Sequence, residues 1–178
     1  MEKVTRTVCL QGGESGSTND HRVGRFLFEQ ATDQDLEAIL HIEQASFSTP
    51  WTRKMFEVEM HGNPFASLIV GRLEEPGRGR GEVLGYICFW VVFEELRLMN
   101  LAVMPSARRQ GLATVLVQRA LALGRERGAR RAVLEVRSSN EAARRLYEQM
   151  GFAQVALRAK YYTNPIEDAL LLELAIGG

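Results

Sequence analysis

The sequence is poor in the residues that hold metals or cross-link folds. Its 178 residues include 2 cysteines and 3 histidines. Cys9 and Cys88 form neither a metal-ligand spacing nor a disulfide framework, which suits a reducing compartment. Cys88 lies inside an apolar run and reads as core, whereas Cys9 lies in a polar stretch. His21, His41 and His61 are scattered, so no metal is expected. No hydrophobic run is long enough to span a bilayer, and the N-terminus lacks the apolar core of a secretory signal. A cytoplasmic protein is expected. An excess of charge is also missing. The 22 basic and 22 acidic residues cancel, so the overall field favours neither nucleic acid nor an anionic membrane. Two phosphate motifs are absent as well, the Walker A loop and the three-glycine dinucleotide fingerprint.

The composition that remains is that of a soluble globule, with length for one domain and a sizeable core. The basic residues are nearly all arginine and cluster from Arg125 to Arg131. That cluster falls at a helix end, where cations suit the dipole. A solvated helix end is the expected reading; an anion or RNA patch is the alternative.

Residues 1–25 read as a flexible tail, because Gln11 to Asp20 offer nothing to bury, and residues 26–178 as the folded domain. Phe26-Leu27-Phe28 reads as a first strand. Thr32 to Asp35 resembles a capped helix start, with the helix running through Leu36, Ile39, Leu40 and Ile42 to about Ser46. A break at Pro50-Trp51 precedes a short helix over about Thr52 to Met60. Ala66 to Leu73 and Val83 to Phe93 are β-rich, and Glu75 to Gly81 joins them as an exposed hairpin loop. Leu96 to Val103 is the next strand. The helix after Gly111 places Leu112, Val115, Leu116, Ala120 and Leu123 on one face and is capped near Gly128. Ala132 to Arg137 is a short buried strand. A helix follows, capped within Ser138 to Glu141, with Ala143, Leu146, Tyr147 and Met150 inward and Gly151 as its stop. Phe152 to Lys160 and Ala169 to Ile176 close as strands, with Tyr161 and Tyr162 in a loop beside Asn164-Pro165. The pattern is an α/β sandwich.

The most informative stretch is Arg108-Arg109-Gln110-Gly111-Leu112-Ala113. An apolar strand precedes it and a helix follows it. The first N–H groups of a helix have no intrahelical acceptor and carry the positive end of the dipole, so this turn can bind an anion. Gly111 leaves the approach open. The turn resembles the Arg/Gln-x-x-Gly-x-Gly/Ala signature of the GNAT superfamily of N-acetyltransferases. Four more stretches in the same order extend the resemblance: Asn100 to Val103, Leu134 to Asn140, Leu146 to Phe152, and Tyr161-Tyr162 with Glu167-Asp168-Ala169. Together they are similar to one branch, the ribosomal-protein-alanine N-acetyltransferases, across about Phe26 to Ile176.

The resemblance implies the GNAT acyl-CoA N-acyltransferase fold, a mixed central sheet splayed at the coenzyme site and flanked by helices. It implies acetyl-coenzyme A as cosubstrate, bound by Leu101, Ala102, Val103, by Arg108, Arg109, Gln110, Gly111, Leu112, Ala113, Thr114, and by Asn140. The backbone N–H of Val103, or a neighbour, becomes the donor to the thioester oxygen. Glu135 becomes the general base and Tyr147 the acid at the departing thiolate. Trp51, Tyr161 and Tyr162 line the slot for the peptide's first residues. The acceptor is then a protein N-terminus, an alanine of ribosomal protein S18, with no direct contact to nucleic acid or membrane; the oligomeric state stays open.

Each residue has a plainer reading. Glu135 in an apolar strand is either a solvent-facing glutamate or the partner of an arginine. Tyr147 is a core tyrosine and Trp51 a hydrophobic staple at a helix start. Tyr161 and Tyr162 are surface tyrosines in a turn, and Glu167-Asp168-Ala169 is a charged start to a strand. The chemistry favours an α-amine acceptor. Its pKa near 8, against about 10.4 for lysine, makes the neutral form roughly a few hundred-fold more abundant. Transfer is expected to be direct, because Cys88 in a strand interior is a poor nucleophile. The rival functions are acetylation of lysine or a small-molecule amine, and a coenzyme-A-binding interaction subunit.

Overall fold

The computed structural model describes residues 26–73 and 81–177. The expected tail, with Cys9 and His21, and nearly all of the expected hairpin loop lie outside the described residues. Seven strands form one sheet in the order β1-β2-β3-β4-β5-β7-β6. They are β1 (Phe26–Gln30), β2 (Ala66–Leu73), β3 (Val83–Val92), β4 (Glu95–Val103), β5 (Arg131–Arg137), β6 (Ala153–Thr163) and β7 (Ile166–Ala175). All neighbours pair antiparallel except β4 and β5, which are parallel. The sheet is therefore mixed, as expected.

Four helices flank it: α1 (Leu36–Ser46), α2 (Arg53–Glu57), α3 (Leu112–Glu126) and α4 (Glu141–Gln149). One core lies under α3 and α4 and takes Leu96, Leu98, Leu101, Val103, Leu134 and Val136 from the sheet. The other lies under α1 and α2 and takes Leu68, Val70, Tyr86, Cys88, Met99 and Ala102.

Local chemistry accounts for the helix ends. Thr32 and Asp35 form a capping box that starts a short 3₁₀ turn before α1. The Thr52 hydroxyl caps α2 by accepting from Met55 N–H. The expected helix over Thr52 to Met60 is α-helical only to Glu57; Val58–Gly62 continues as a wider π turn. Gly128 at φ 89° ends α3, and Gly151 at φ 90° ends α4.

Two expectations need correction. The buried face of α3 is Leu112, Leu116, Val117, Ala120, Leu121 and Gly124, so Val115 and Leu123 lie at its margins. The helix has turned to seat Gly124 on Leu96, where an added Cβ would come within 3.1 Å of Leu96 Cδ1. Tyr161 and Tyr162 are not in a loop. β6 runs on to Thr163 and turns at Asn164-Pro165, whose peptide bond is cis. Tyr162 is buried rather than on the surface. β7 correspondingly begins at Ile166, so Glu167 and Asp168 belong to the strand.

Candidate active site

The site begins with a defect in β4. Cys88 on β3 faces Asn100, but Phe89 faces Leu98, so Met99 is an extra residue in the ladder. The bulge reverses which side chains face each way. Leu96 and Leu98 enter the α3/α4 core before it, and Leu101 and Val103 after it. Met99 and Ala102 join the α1/α2 core, and Asn100 faces Glu43 of α1.

Pairing between β4 and β5 stops at the same place. It covers Glu95 to Arg97 against Arg131 to Val133 and goes no further, although both strands continue. The two strands part beyond Arg97 and Val133, as the resemblance implies. Met104 N–H donates to Leu84 O at 2.8 Å, which fixes the alternation along β3. By that alternation the Val103 N–H points away from β3, toward the side where β5 has parted.

The turn expected to bind an anion stands where β4 ends. Arg109 has φ 65° and Gly111 φ 81°, so the backbone curls before α3 starts. A Cβ built on Gly111 would meet nothing within 4 Å, so the space beside the turn at the start of α3 is open. Arg109 and Gln110 are exposed, whereas the Leu112 side chain is buried, so only its backbone can reach a ligand in that space. Arg108 turns inward. Its Nε donates to Val103 O at 3.1 Å and its Nη2 to Ser46 Oγ at 3.2 Å, which ties the turn to β4 and α1.

The two candidate catalytic side chains come from β5 and α4. Leu134 and Val136 face the α3/α4 core, so Glu135 points to the opposite face of β5. Its side chain is 2% exposed and its Oε1 lies 2.9 Å from Arg158 Nη1 on β6. Tyr147 projects from α4 into the α3/α4 core, edge-on to Phe152 with ring centroids 5.3 Å apart. Its hydroxyl is buried without a hydrogen-bond partner. Burial, then the nearby Tyr162, pushes its pKa well above 10. Burial and the Glu135 carboxylate likewise raise Tyr162 against the pull of Arg137. Tyr162 thus stands within electrostatic reach of both.

Asn140 caps α4 as expected, its Oδ1 accepting from Ala143 N–H at 3.1 Å. The loop before it is anchored by Glu167, which accepts from Ser138 Oγ, Ser139 N–H and Arg137 Nη1. Trp51 forms the staple: its ring lies 5.3 Å from Phe56, four residues into the capped helix. Its indole N–H is buried without a partner. Of the Arg125 to Arg131 cluster, Arg130 and Arg131 pair with Glu94 and Glu95, and Arg127 donates to Ser67.

One buried network escaped the sequence reading. Glu43 accepts from Tyr86 OH, from Trp51 N–H at 2.6 Å and from Asn100 Nδ2 at 3.2 Å. It joins α1, the start of α2 and the bulged strand. The available signal was a glutamate on the face of α1 that carries Ile39, Ile42 and Ser46. Arg158 was also missed, and nothing in the sequence singles it out.

Parted strands, an open helix start and a buried carboxylate are parts that an acyl-transfer site could use. The chain belongs to the acetyltransferase (GNAT) family, whose model matches residues 36–152. It is an N-acetyltransferase. The [ribosomal protein bS18]-alanine N-acetyltransferase of Escherichia coli is 35% identical over 144 residues, 80% of this chain and 92% of that protein. A crystal structure of the ribosomal-protein-alanine enzyme from the same organism superposes with TM-score 0.76 at 31% identity, covering 86% of this chain and 96% of that one. Arabidopsis thaliana NAA60 in complex with acetyl-CoA superposes with TM-score 0.77 at 19% identity, covering 86% of this chain and 100% of that one, and shares the fold. Among the described residues no helix is long and apolar enough to cross a membrane.

Proposed function

We propose that this acetyltransferase transfers the acetyl group of acetyl-coenzyme A to the α-amine of a protein N-terminus, an alanine of ribosomal protein bS18. The observation that carries this reading is the buried carboxylate of Glu135 on the parted strand. The names of the relatives at 35% identity support the substrate.

The residues present fit the coenzyme. The open space over Gly111 admits a pyrophosphate to the first amides of α3, from Leu112, Ala113 and Thr114. Bound there, acetyl-coenzyme A supplies an acyl carbon activated by its thioester. The Val103 N–H donates to the thioester oxygen, a contact that strengthens as charge gathers there. Glu135 takes the proton that the attacking amine gives up as its bond to carbon forms and the carbon–sulfur bond breaks. Tyr147 serves the departing sulfur as a hydrogen-bond donor. Even unperturbed, full proton transfer from a phenol to a thiolate runs uphill by about 2 kcal/mol, and burial of Tyr147 steepens it. Tyr161, Tyr162 and Trp51 line the peptide's path, and Asn140 supports the coenzyme side.

Two peptides of one sequence test this. One has a free N-terminal alanine and no lysine; the other has a blocked terminus and one internal lysine. Mass spectrometry after incubation with acetyl-coenzyme A is expected to find acetyl on the free terminus alone. Transfer to the lysine alone would replace the substrate assignment and leave the chemistry in place.

A further inference from the structure

The carboxylate assigned as base is already engaged by a cation. Arg158 lies on β6, the sheet's edge strand, opposite Ala169 of β7. Glu135 lies on β5 opposite Leu171 of β7. The guanidinium therefore reaches across β7 to contact Glu135 at 2.9 Å. The pair is lopsided: the glutamate side chain is 2% exposed and the arginine 47%. The Arg158 Cζ also lies 5.4 Å from the Tyr161 ring centroid. Tyr161 meets Tyr162 edge-on at 5.3 Å, and Arg137 lies over the Tyr162 ring at 4.0 Å. The cation on Glu135 thus borders Tyr161, which itself packs on Tyr162, and solvent reaches it.

Such a contact opposes the base by position: the guanidinium occupies ground that an incoming substrate amine would take beside the carboxylate. A guanidinium carries five donors and no acceptor, so it leaves a carboxylate readily only where other acceptors replace it. A peptide brings carbonyl oxygens just behind its amine. A simple amine brings none.

We propose that Arg158 is a latch on Glu135 that a peptide substrate releases by offering its own backbone carbonyl oxygens to the guanidinium. Glu135 is then free to take a proton only when a chain end occupies the slot. Arg158 is a positioning residue that sets specificity for peptides over small amines. This rests on the assignment of Glu135 as base, and it adds no step to the transfer itself.

The test uses the full chain with acetyl-coenzyme A and two acceptors, a lysine-free peptide with an N-terminal alanine and 2-phenylethylamine, a primary amine with no carbonyl. The readout is the ratio of kcat/KM for peptide over amine, so the differing basicity of the two acceptors cancels between enzymes. In Arg158→Gln the ratio is expected to fall roughly tenfold, the size of one charge-assisted hydrogen bond. Arg158→Lys keeps the charge without the fork and is expected to fall in between. A ratio that either variant leaves unchanged, including one where both substrates lose rate alike, overturns the latch. Thermal unfolding confirms that the variants fold. Glu135→Gln, assayed in parallel, separates the two assignments: wild-type activity there removes the base itself, whatever Arg158 does.

Discussion

Arg97 and Val133 are the last residues to face each other across β4 and β5. Two residues further along β4, Met99 bulges out of the ladder with β3. A bulge bends its strand and sharpens the local twist, which accounts for the parting of two strands that were paired just before it. The same extra residue turns Asn100 toward Glu43 and aims the Val103 N–H along the parted edge. One inserted residue thereby parts the strands and ties β4 to α1 through Asn100.

The turn between β4 and α3 depends on Gly111. Its φ of 81° is unfavourable for any residue with a Cβ, and the space around it is open. Gly111→Ala is expected to cost about 1 kcal/mol of stability through strain alone. The added methyl also enters the open space beside the turn, where the pyrophosphate is proposed to sit. Calorimetric titration should show weaker acetyl-coenzyme A binding, with the peptide KM at saturating coenzyme little changed. An unaltered coenzyme affinity would remove this helix start from the pyrophosphate site.

Tyr147 separates stability from catalysis. Its hydroxyl is buried and unpartnered, an arrangement that costs free energy in the resting protein. Tyr147→Phe is therefore expected to raise stability by about 1 kcal/mol while lowering turnover roughly a hundredfold. Thermal unfolding and single-turnover kinetics at saturating substrates measure the two effects. A drop in both would mark a packing residue, and near wild-type turnover would end its role at the sulfur.

Strands and helices with strong periodicity were legible in the sequence, as were the Thr32 capping box, the Asn140 cap and the glycine stops. These depend on neighbours in the chain. The turn of α3 was not legible, because the fit of Gly124 on Leu96 decides it and that fit is tertiary. Tyr161 and Tyr162 were misplaced because Asn164-Pro165 reads as a loop of some length, whereas a tight turn there keeps both in β6. At the site, the family motifs marked Glu135 and Tyr147. The bulge at Met99 has no sequence signature, and Arg158 reaches Glu135 across a strand that follows it in the chain.

Glu135→Gln keeps the size of the side chain and removes the base. Turnover is expected to fall by about a hundredfold or more at neutral pH. The loss should shrink as pH rises past about 8, where an α-amine is already neutral and needs no base. Rates measured from pH 6 to pH 10 with the N-terminal peptide give the comparison. A deficit equal at both ends of that range would assign Glu135 to structure rather than to proton transfer.

Glu167 gives a pH dependence whose sign is fixed by its partners. Burial raises its pKa, but hydrogen bonds from Ser139, Arg137 and Ser138 outweigh burial and hold it below the ordinary 4.5. A carboxylate lowered in the folded state stabilises the fold fully above its unfolded value and loses that contribution as pH falls through the folded one. Glu167→Gln should thus melt several degrees, about 3–6 °C, below the parent at pH 7. The gap should begin to narrow below pH 4.5 and go on closing as pH falls through the lowered folded value. The same carboxylate anchors the loop leading to the Asn140 cap, so coenzyme affinity at pH 7 should weaken along with the melting temperature. A melting gap of equal size at pH 7 and pH 3 would show that packing, and not the charged hydrogen bonds, holds that loop.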